Sequence, residues 1–193
     1  HLWNMSLPYD MEMFAPRRLS CGILVLNGQR ELLLCHVTGQ DHWDLPKGGA
    51  QAEESPLQAA LRETREETGL DLAADALREL GRFDYRPKKD LHLFATLTPR
   101  FDLAQLHCES QFSQYATGQR LPEMDGYDWV GFDRVGERCS AKMAAVLHGR
   151  LSLQRVLDDL EACQLLSDRR FVETTVAARA ARMGSGRVQH YLA

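Results

Sequence analysis

Gly48-Gly49-Ala50-Gln51-Ala52-Glu53-Glu54-Ser55-Pro56-Leu57-Gln58-Ala59-Ala60-Leu61-Arg62-Glu63-Thr64-Arg65-Glu66-Glu67-Thr68-Gly69-Leu70 decides the fold. Ser55 is an N-cap, Pro56 takes the first helical position, and Gln58 completes a Ser-x-x-Gln capping box. Gly69 stands where a helix ends in a left-handed residue. The spacing therefore predicts a helix over Pro56–Thr68. At about 100° per residue, Leu57, Ala60, Leu61, Thr64 and Thr68 form one stripe toward the core. Glu63, Glu66 and Glu67 share the adjoining arc. Each such like-charge pair costs a few tenths of a kcal/mol in an isolated helix. The acids also lie toward the C-terminal end, where the helix dipole disfavours anions. Two readings follow: a solvated face partly neutralised by Arg62 and Arg65, or a row of oxygens that grips a divalent cation. For carboxylate oxygens that cation is Mg²⁺ or Mn²⁺, not the softer Zn²⁺.

Upstream, the turn-rich loop His42-Trp43-Asp44-Leu45-Pro46-Lys47 feeds this helix. Before it, the aliphatic runs Leu19–Leu26 and Glu31–Val37 flank Asn27-Gly28, which predicts a β-hairpin with a tight turn. Both runs read as strands buried on two faces. Downstream, strands are expected at Leu80–Tyr85, Leu91–Leu97 and Tyr127–Phe132. The stretch Phe101–Gln119 reads as a loop with at most one short strand. Helical spacing returns from Ala141 (Met143, Val146, Leu147) and again over Leu153–Leu166. These signals divide the chain into an arm at 1–18, a domain at 19–150 and a C-terminal helical extension at 151–193. The arm reads as added or frayed sequence, with Met5, Met11 or Met13 as native starts; the tail around Ala177–Ala181 reads as a fraying helix. The extension is expected to pack on the domain or to form a homodimer.

The 193 residues are 44% hydrophobic and 26% charged, which is ordinary globular usage and excludes fibrous and disordered classes. With 23 basic and 27 acidic residues, the net charge of −4 argues against general nucleic-acid or membrane-surface binding. No apolar run approaches the roughly 20 residues of a membrane span. The 5 cysteines are odd in number, dispersed and without a C-x-x-C, and read as reduced thiols of a cytoplasmic protein. His36 and His148 read as structural.

The quoted stretch resembles the Nudix box, G-x5-E-x7-R-E-U-x-E-E-x-G-U, with every fixed residue present from Gly48 to Leu70. Thr64 is the soft departure, where a larger aliphatic is usual. The resemblance implies an α/β Nudix fold, a mixed β-sheet sandwiched between α-helices. It also implies a hydrolase that cleaves a nucleoside diphosphate linked to another moiety, by attack of water on phosphorus with Mg²⁺ (or Mn²⁺) as cofactor. Carried over by position, Glu63, Glu66 and Glu67 and the carbonyl of Lys47 would hold the metal. Glu54 would support them by hydrogen bonds, and Arg62 would lock the loop and the glutamates. Gly48 and Gly49 would let the backbone fold sharply, and Gly69 would close the helix. The base would be Glu123, in Leu121-Pro122-Glu123, or a box glutamate, Glu66 or Glu67.

Trp43-Asp44-Leu45-Pro46-Lys47-Gly48 resembles the approach seen in Nudix enzymes of diadenosine tetraphosphate. Lys47, with Lys88 and Lys89 of the basic turn Arg86-Pro87-Lys88-Lys89, would meet a long phosphate chain. Trp43 and Tyr85 would contact the substrate, Tyr85 or Tyr127 by stacking on a base. The expected substrate is a small-molecule nucleotide, first a dinucleoside polyphosphate. A nucleoside triphosphate is the alternative, and a non-catalytic nucleotide sensor is the reading from another class.

Overall fold

The computed structural model describes residues 16–164. Most of the expected N-terminal arm and all of the tail beyond residue 164 lie outside the described residues. The elements run β1 (Arg18–Leu26), β2 (Glu31–Val37), β3 (Trp43–Asp44), β4 (Lys47–Gly49), α1 (Pro56–Thr68), β5 (Arg78–Arg86), β6 (Lys89–Leu97), β7 (Gln111–Ser113), β8 (Arg120–Pro122) and β9 (Met124–Gly131). They close with α2 (Val135–Arg138), α3 (Ala141–Ala144), a π-helical turn over Ala145–Arg150, and α4 over residues 153–164.

Seven strands form one sheet in the order β3-β2-β1-β6-β5, with β4 on β1 and β9 on β2. The sheet is mixed: β1 and β6 are parallel along their whole length, from Arg18↔Lys89 to Leu26↔Leu97, and the other pairs are antiparallel. β1 meets β2 only at Leu26↔Leu32, while its first half pairs with β4 from Ser20↔Gly49 to Gly22↔Lys47. The strands therefore diverge, β2 turns to β9, and the loop that feeds α1 fills the opening. The expected hairpin joins β1 and β2, but its turn is corrected here. Asn27 builds an Asx turn, its Oδ1 accepting from Gln29 N and Glu31 N, and the left-handed residue is Arg30 (φ 62), not Asn27 or Gly28.

The sheet carries a core on each face. On one side Cys21, Ile23, Val25, Leu33, Phe94 and Trp129 pack with Ala59 and Ala60 of α1. On the other, Leu24, Leu34, Leu91 and Leu93 pack with Met143 and Leu147, and with Leu153, Val156, Leu157 and Leu160 of α4. Of the two expectations for the extension, its described part packs on the domain: α4 joins the second face of the same core. Phe101–Gln119 holds one short strand, β7, as expected, and β7 pairs with β8 just beyond it in a hairpin of their own.

The local signals for α1 are realised. Ser55 Oγ accepts from Gln58 N at 3.1 Å, Gln58 Oε1 accepts from Ser55 N at 2.9 Å, and Gly69 caps the helix at φ 78. Thr64 is fully buried, with no hydrogen-bond partner for its hydroxyl among the described residues. An unsatisfied buried hydroxyl costs about 1–3 kcal/mol. Thr64→Val is therefore expected to stabilise the fold by about 1 kcal/mol, read as a higher urea midpoint at unchanged slope.

Candidate functional site

The acids of α1 do not face bulk water. Glu67 is 3% exposed and Glu63 9%, while Glu66 is half-buried. The solvated-face reading is thereby excluded for two of the three. Their packing explains Gly48: a Cβ at that position would overlap the carboxylate carbon and both oxygens of Glu63. Gly48 is needed for this close approach, not for a sharp backbone turn, since neither it nor Gly49 has a positive φ. Gly48→Ala is expected to cost about 1–3 kcal/mol, as overpacking does, measurable by denaturant unfolding. Gly49→Ala meets open space and should cost little.

Arg62 ties the loop to the helix. Its guanidinium donates to Glu54 Oε1 (2.8 Å) and Oε2 (3.1 Å), Glu63 Oε1 (2.7 Å), Glu66 Oε2 (3.3 Å) and the Gly49 carbonyl (3.0 Å). Glu54 also accepts from Gln51 N at 3.0 Å. On the other flank, Glu67 Oε2 accepts from the backbone N–H of Lys47 at 2.9 Å. Loop 107–110 clamps the last turn of α1, with Glu109 N donating to Glu66 O at 2.7 Å and His107 N to Thr68 O at 3.1 Å. Tyr127 donates its hydroxyl to Glu67 O.

Burial pushes the Glu67 carboxyl up to about 9; the Lys47 N–H and ammonium pull the other way, and Glu63 and Glu123 add to the rise. Burial likewise raises Glu63, against the pull of Arg62. Glu123 thus lies within electrostatic reach of both. Its Oε2 accepts from Ser110 Oγ at 3.3 Å, and its backbone is held by Ser110 O and Thr38 N.

Among the described residues, no three His, Cys, Asp or Glu side chains are arranged to hold a metal ion, and Arg62 engages Glu63 and Glu66. The donor chemistry nevertheless fits a hard divalent cation. The set is all oxygen, and Glu67 is a buried acid without a full counter-charge, the deficit such an ion makes good.

Around this row stands a set of cations. Lys47 Nζ lies 3.0 Å from Asp44 Oδ2 and 5.9 Å from the centroid of the Tyr85 ring. Burial alone would lower the Lys47 pKa, but Asp44, Tyr85 and Glu67 together leave it raised. Lys89 is lowered, by burial first and then by the charges of Lys47, Arg18 and Arg86. Those four cations therefore share one neighbourhood, with Asp44 as the opposing charge. Tyr85 is buried between Lys47 and Arg86, its hydroxyl without a partner among the described residues. Lys88 occupies the β5–β6 turn at φ 62.

Trp43 is placed elsewhere. Arg138 covers one face of its ring at 4.5 Å and His36 meets it edge-on at 5.1 Å, so it is a packing residue, not an open platform. His36 itself pairs with Asp125. Sequence reasoning missed Asp44 and Arg18, while Arg86 belonged to the basic turn it named and meets Lys89 across the β5–β6 hairpin. A buried Asp three residues before Lys47 was the available signal for the first; Arg18 reaches the site through the parallel β1–β6 pairing.

The NUDIX domain pattern matches residues 16–146, more than half of the chain. An RNA pyrophosphohydrolase of Marinomonas sp. is 32% identical over 123 residues, covering 60% of this chain and 76% of that protein. An uncharacterized 17.7 kDa protein of Enterobacteria phage T4 is 35% identical over 128 residues, covering 61% of this chain and 84% of its own length. Among solved structures, the NUDIX domain of Shewanella oneidensis NrtR, complexed with ADP ribose, superimposes with a TM-score of 0.51 at 15% identity. That likeness covers 74% of this chain and 92% of the other, and it speaks to the fold alone. With the complete box folded as loop and capped helix against a mixed sheet, the chain belongs to the Nudix family and is a hydrolase of pyrophosphate bonds.

Proposed function

We propose that this chain is a Mg²⁺-dependent hydrolase of dinucleoside polyphosphates. The observation that carries the reading is the meeting of two charge sets: the buried acid row of α1, and the cations Lys47, Lys89, Arg18 and Arg86 beside it. A long phosphate chain is the ligand that would engage both, at the carboxylates with the help of a divalent cation and elsewhere by ammonium and guanidinium groups directly. Glu63, Glu66, Glu67 and the Lys47 carbonyl would hold Mg²⁺, or Mn²⁺ in its place. When bound, that ion neutralises phosphate charge and lowers the pKa of water. Glu123, held by Ser110 and Thr38, takes the proton of the attacking water. Arg62 positions the glutamates through its five-donor fork, and Lys47 and Lys89 orient the phosphate chain.

A second reading is the triphosphorylated 5′ end of RNA, favoured by relatives such as the Marinomonas protein that bear the name RNA pyrophosphohydrolase. Product identification after incubation with diadenosine tetraphosphate, a 5′-triphosphorylated oligoribonucleotide or ATP, with and without Mg²⁺, separates them. Diadenosine tetraphosphate is expected to be cleaved with the highest kcat/KM, and only with the divalent ion. Faster cleavage of the RNA end would establish the second reading. ATP as the best substrate, or turnover indifferent to Mg²⁺, would overturn the first.

A further inference from the structure

Lys47 is held at its backbone, at the root of its side chain and at its tip. The backbone N–H donates to Glu67 Oε2 at 2.9 Å. The root faces Gly22 across the β1–β4 pairing, where a Cβ on residue 22 would come within 2.7 Å of Lys47 Cβ and 2.9 Å of Pro46 O. The ammonium lies 3.0 Å from Asp44 Oδ2, with the Tyr85 ring nearby. A lysine is ordinarily a point charge on a flexible four-carbon stem. This one is packed along its length, its side chain only 15% exposed.

Asp44 is itself fixed. Its Oδ1 accepts from Leu45 N at 2.8 Å, its backbone pairs with Cys35 of β2, and the residue is buried. One carboxylate oxygen thus locks the side chain while the other receives the ammonium. A buried acid repels phosphate, so its place among four cations calls for a reason. The reason lies in the donors: an ammonium has three, Asp44 takes one, and the rest are left pointing away from it. The two ends of Lys47 also serve different groups. Its backbone N–H belongs with the acid row, and its ammonium with Lys89, Arg18 and Arg86. The stem separates the two, so the phosphate met by the ammonium is not the one attacked.

We infer that Asp44 is the positioning residue of the Lys47 ammonium, and that through Lys47 it sets how tightly the non-reacting phosphates of the substrate are held. The inference rests on the proposed function only in taking Lys47 to meet phosphate. A cation already fixed gives up little rotamer freedom when a ligand arrives, whereas a lysine released from Asp44 must be ordered anew. A contact made equally in the ground and transition states shows in KM and not in kcat.

The test is steady-state kinetics of the full chain at saturating Mg²⁺, on whichever of the three anhydrides it cleaves fastest. Wild type, Asp44→Asn, Lys47→Met and the double variant are compared. Asp44→Asn keeps the shape and an oxygen for Leu45 N but loses the charge that draws the ammonium. KM is expected to rise roughly tenfold, the scale of one hydrogen bond to a charged group, with kcat changed by less than about twofold. Lys47→Met keeps the stem, the N–H and the carbonyl. In that background Asp44→Asn is expected to raise KM no further, because the group it steers is gone. The double variant buries neither charge, so it keeps its fold where a broken pair would not. If Asp44→Asn alone melts early, the step from Lys47→Met to the double variant carries the test. An unchanged or lower KM in Asp44→Asn, or the same rise in both backgrounds, would overturn the inference. A chain that cleaves none of the three sinks the proposed function alone, and the same four proteins are then ranked by tripolyphosphate affinity in calorimetry.

Discussion

Glu67→Gln is expected to lower kcat by at least about a hundredfold, the scale on which a positioned acid or base group acts, with little change in the stability of the metal-free chain. The two halves of that result have separate causes. Glu67 is almost wholly buried, and burial already holds its carboxyl toward the neutral form. A neutral amide of the same shape can keep the hydrogen bond from Lys47 N, so the fold loses almost nothing. The amide cannot supply the negative charge that a hard cation needs, and the Lys47 ammonium and the phosphate chain are then held around a weaker centre. Steady-state rates at saturating Mg²⁺, set beside thermal melts in chelator, read the two halves independently. Near-normal turnover would remove Glu67 from the machinery. A collapse of the melt would show its role to be structural.

Ending the chain after Arg150 is expected to abolish cooperative folding at 25 °C, and with it hydrolysis. Leu153, Val156, Leu157 and Leu160 each lie within the second core cluster, at 2–7% exposure. Burial of each such side chain contributes about 1.5–3 kcal/mol. Their sum is comparable with the whole stability of an ordinary domain, about 5–15 kcal/mol. The core cluster they share with Leu24, Leu34 and Leu93 would lose that layer. The measurement is circular dichroism across a thermal ramp. A sharp transition retained near the wild-type temperature would show that α4 is an appendage after all.

What the amino-acid order revealed, and what it concealed, follows from the range of the interactions. α1 was legible because every determinant is local: the Ser55–Gln58 box, Pro56 and Gly69 act within a turn or two of their own positions. The acid row was legible for the same reason, through its strained spacing and its match to the family pattern. The hairpin expected around Asn27-Gly28 forms, but its turn is longer than two residues and its ladder is short, because β4 takes the first half of the same edge of β1 at long range. The cation set was half legible. Lys47 and the basic turn that holds Arg86 and Lys89 were singled out, but Arg18 joins them only because the parallel pairing sets it beside Lys89. β7 and β8 are three residues each, too short for an alternating pattern to declare itself. Residue 150 looked like a boundary because the apolar spacing pauses at His148-Gly149-Arg150, although the packing does not.

The parallel seam between β1 and β6 has a temporal meaning. Residues 27–88 must be traversed before Arg18 can meet Lys89, and α1 lies inside that crossover. Such non-local closure is slow compared with forming a helix or a hairpin. The acidic helix precedes β6 in the chain and packs mainly on β1 and β4, which come before it, so β6 completes its seat rather than creating it. Because α4 residues complete the second core, the domain is expected to close last at its C-terminal end, after every strand of the sheet has been made.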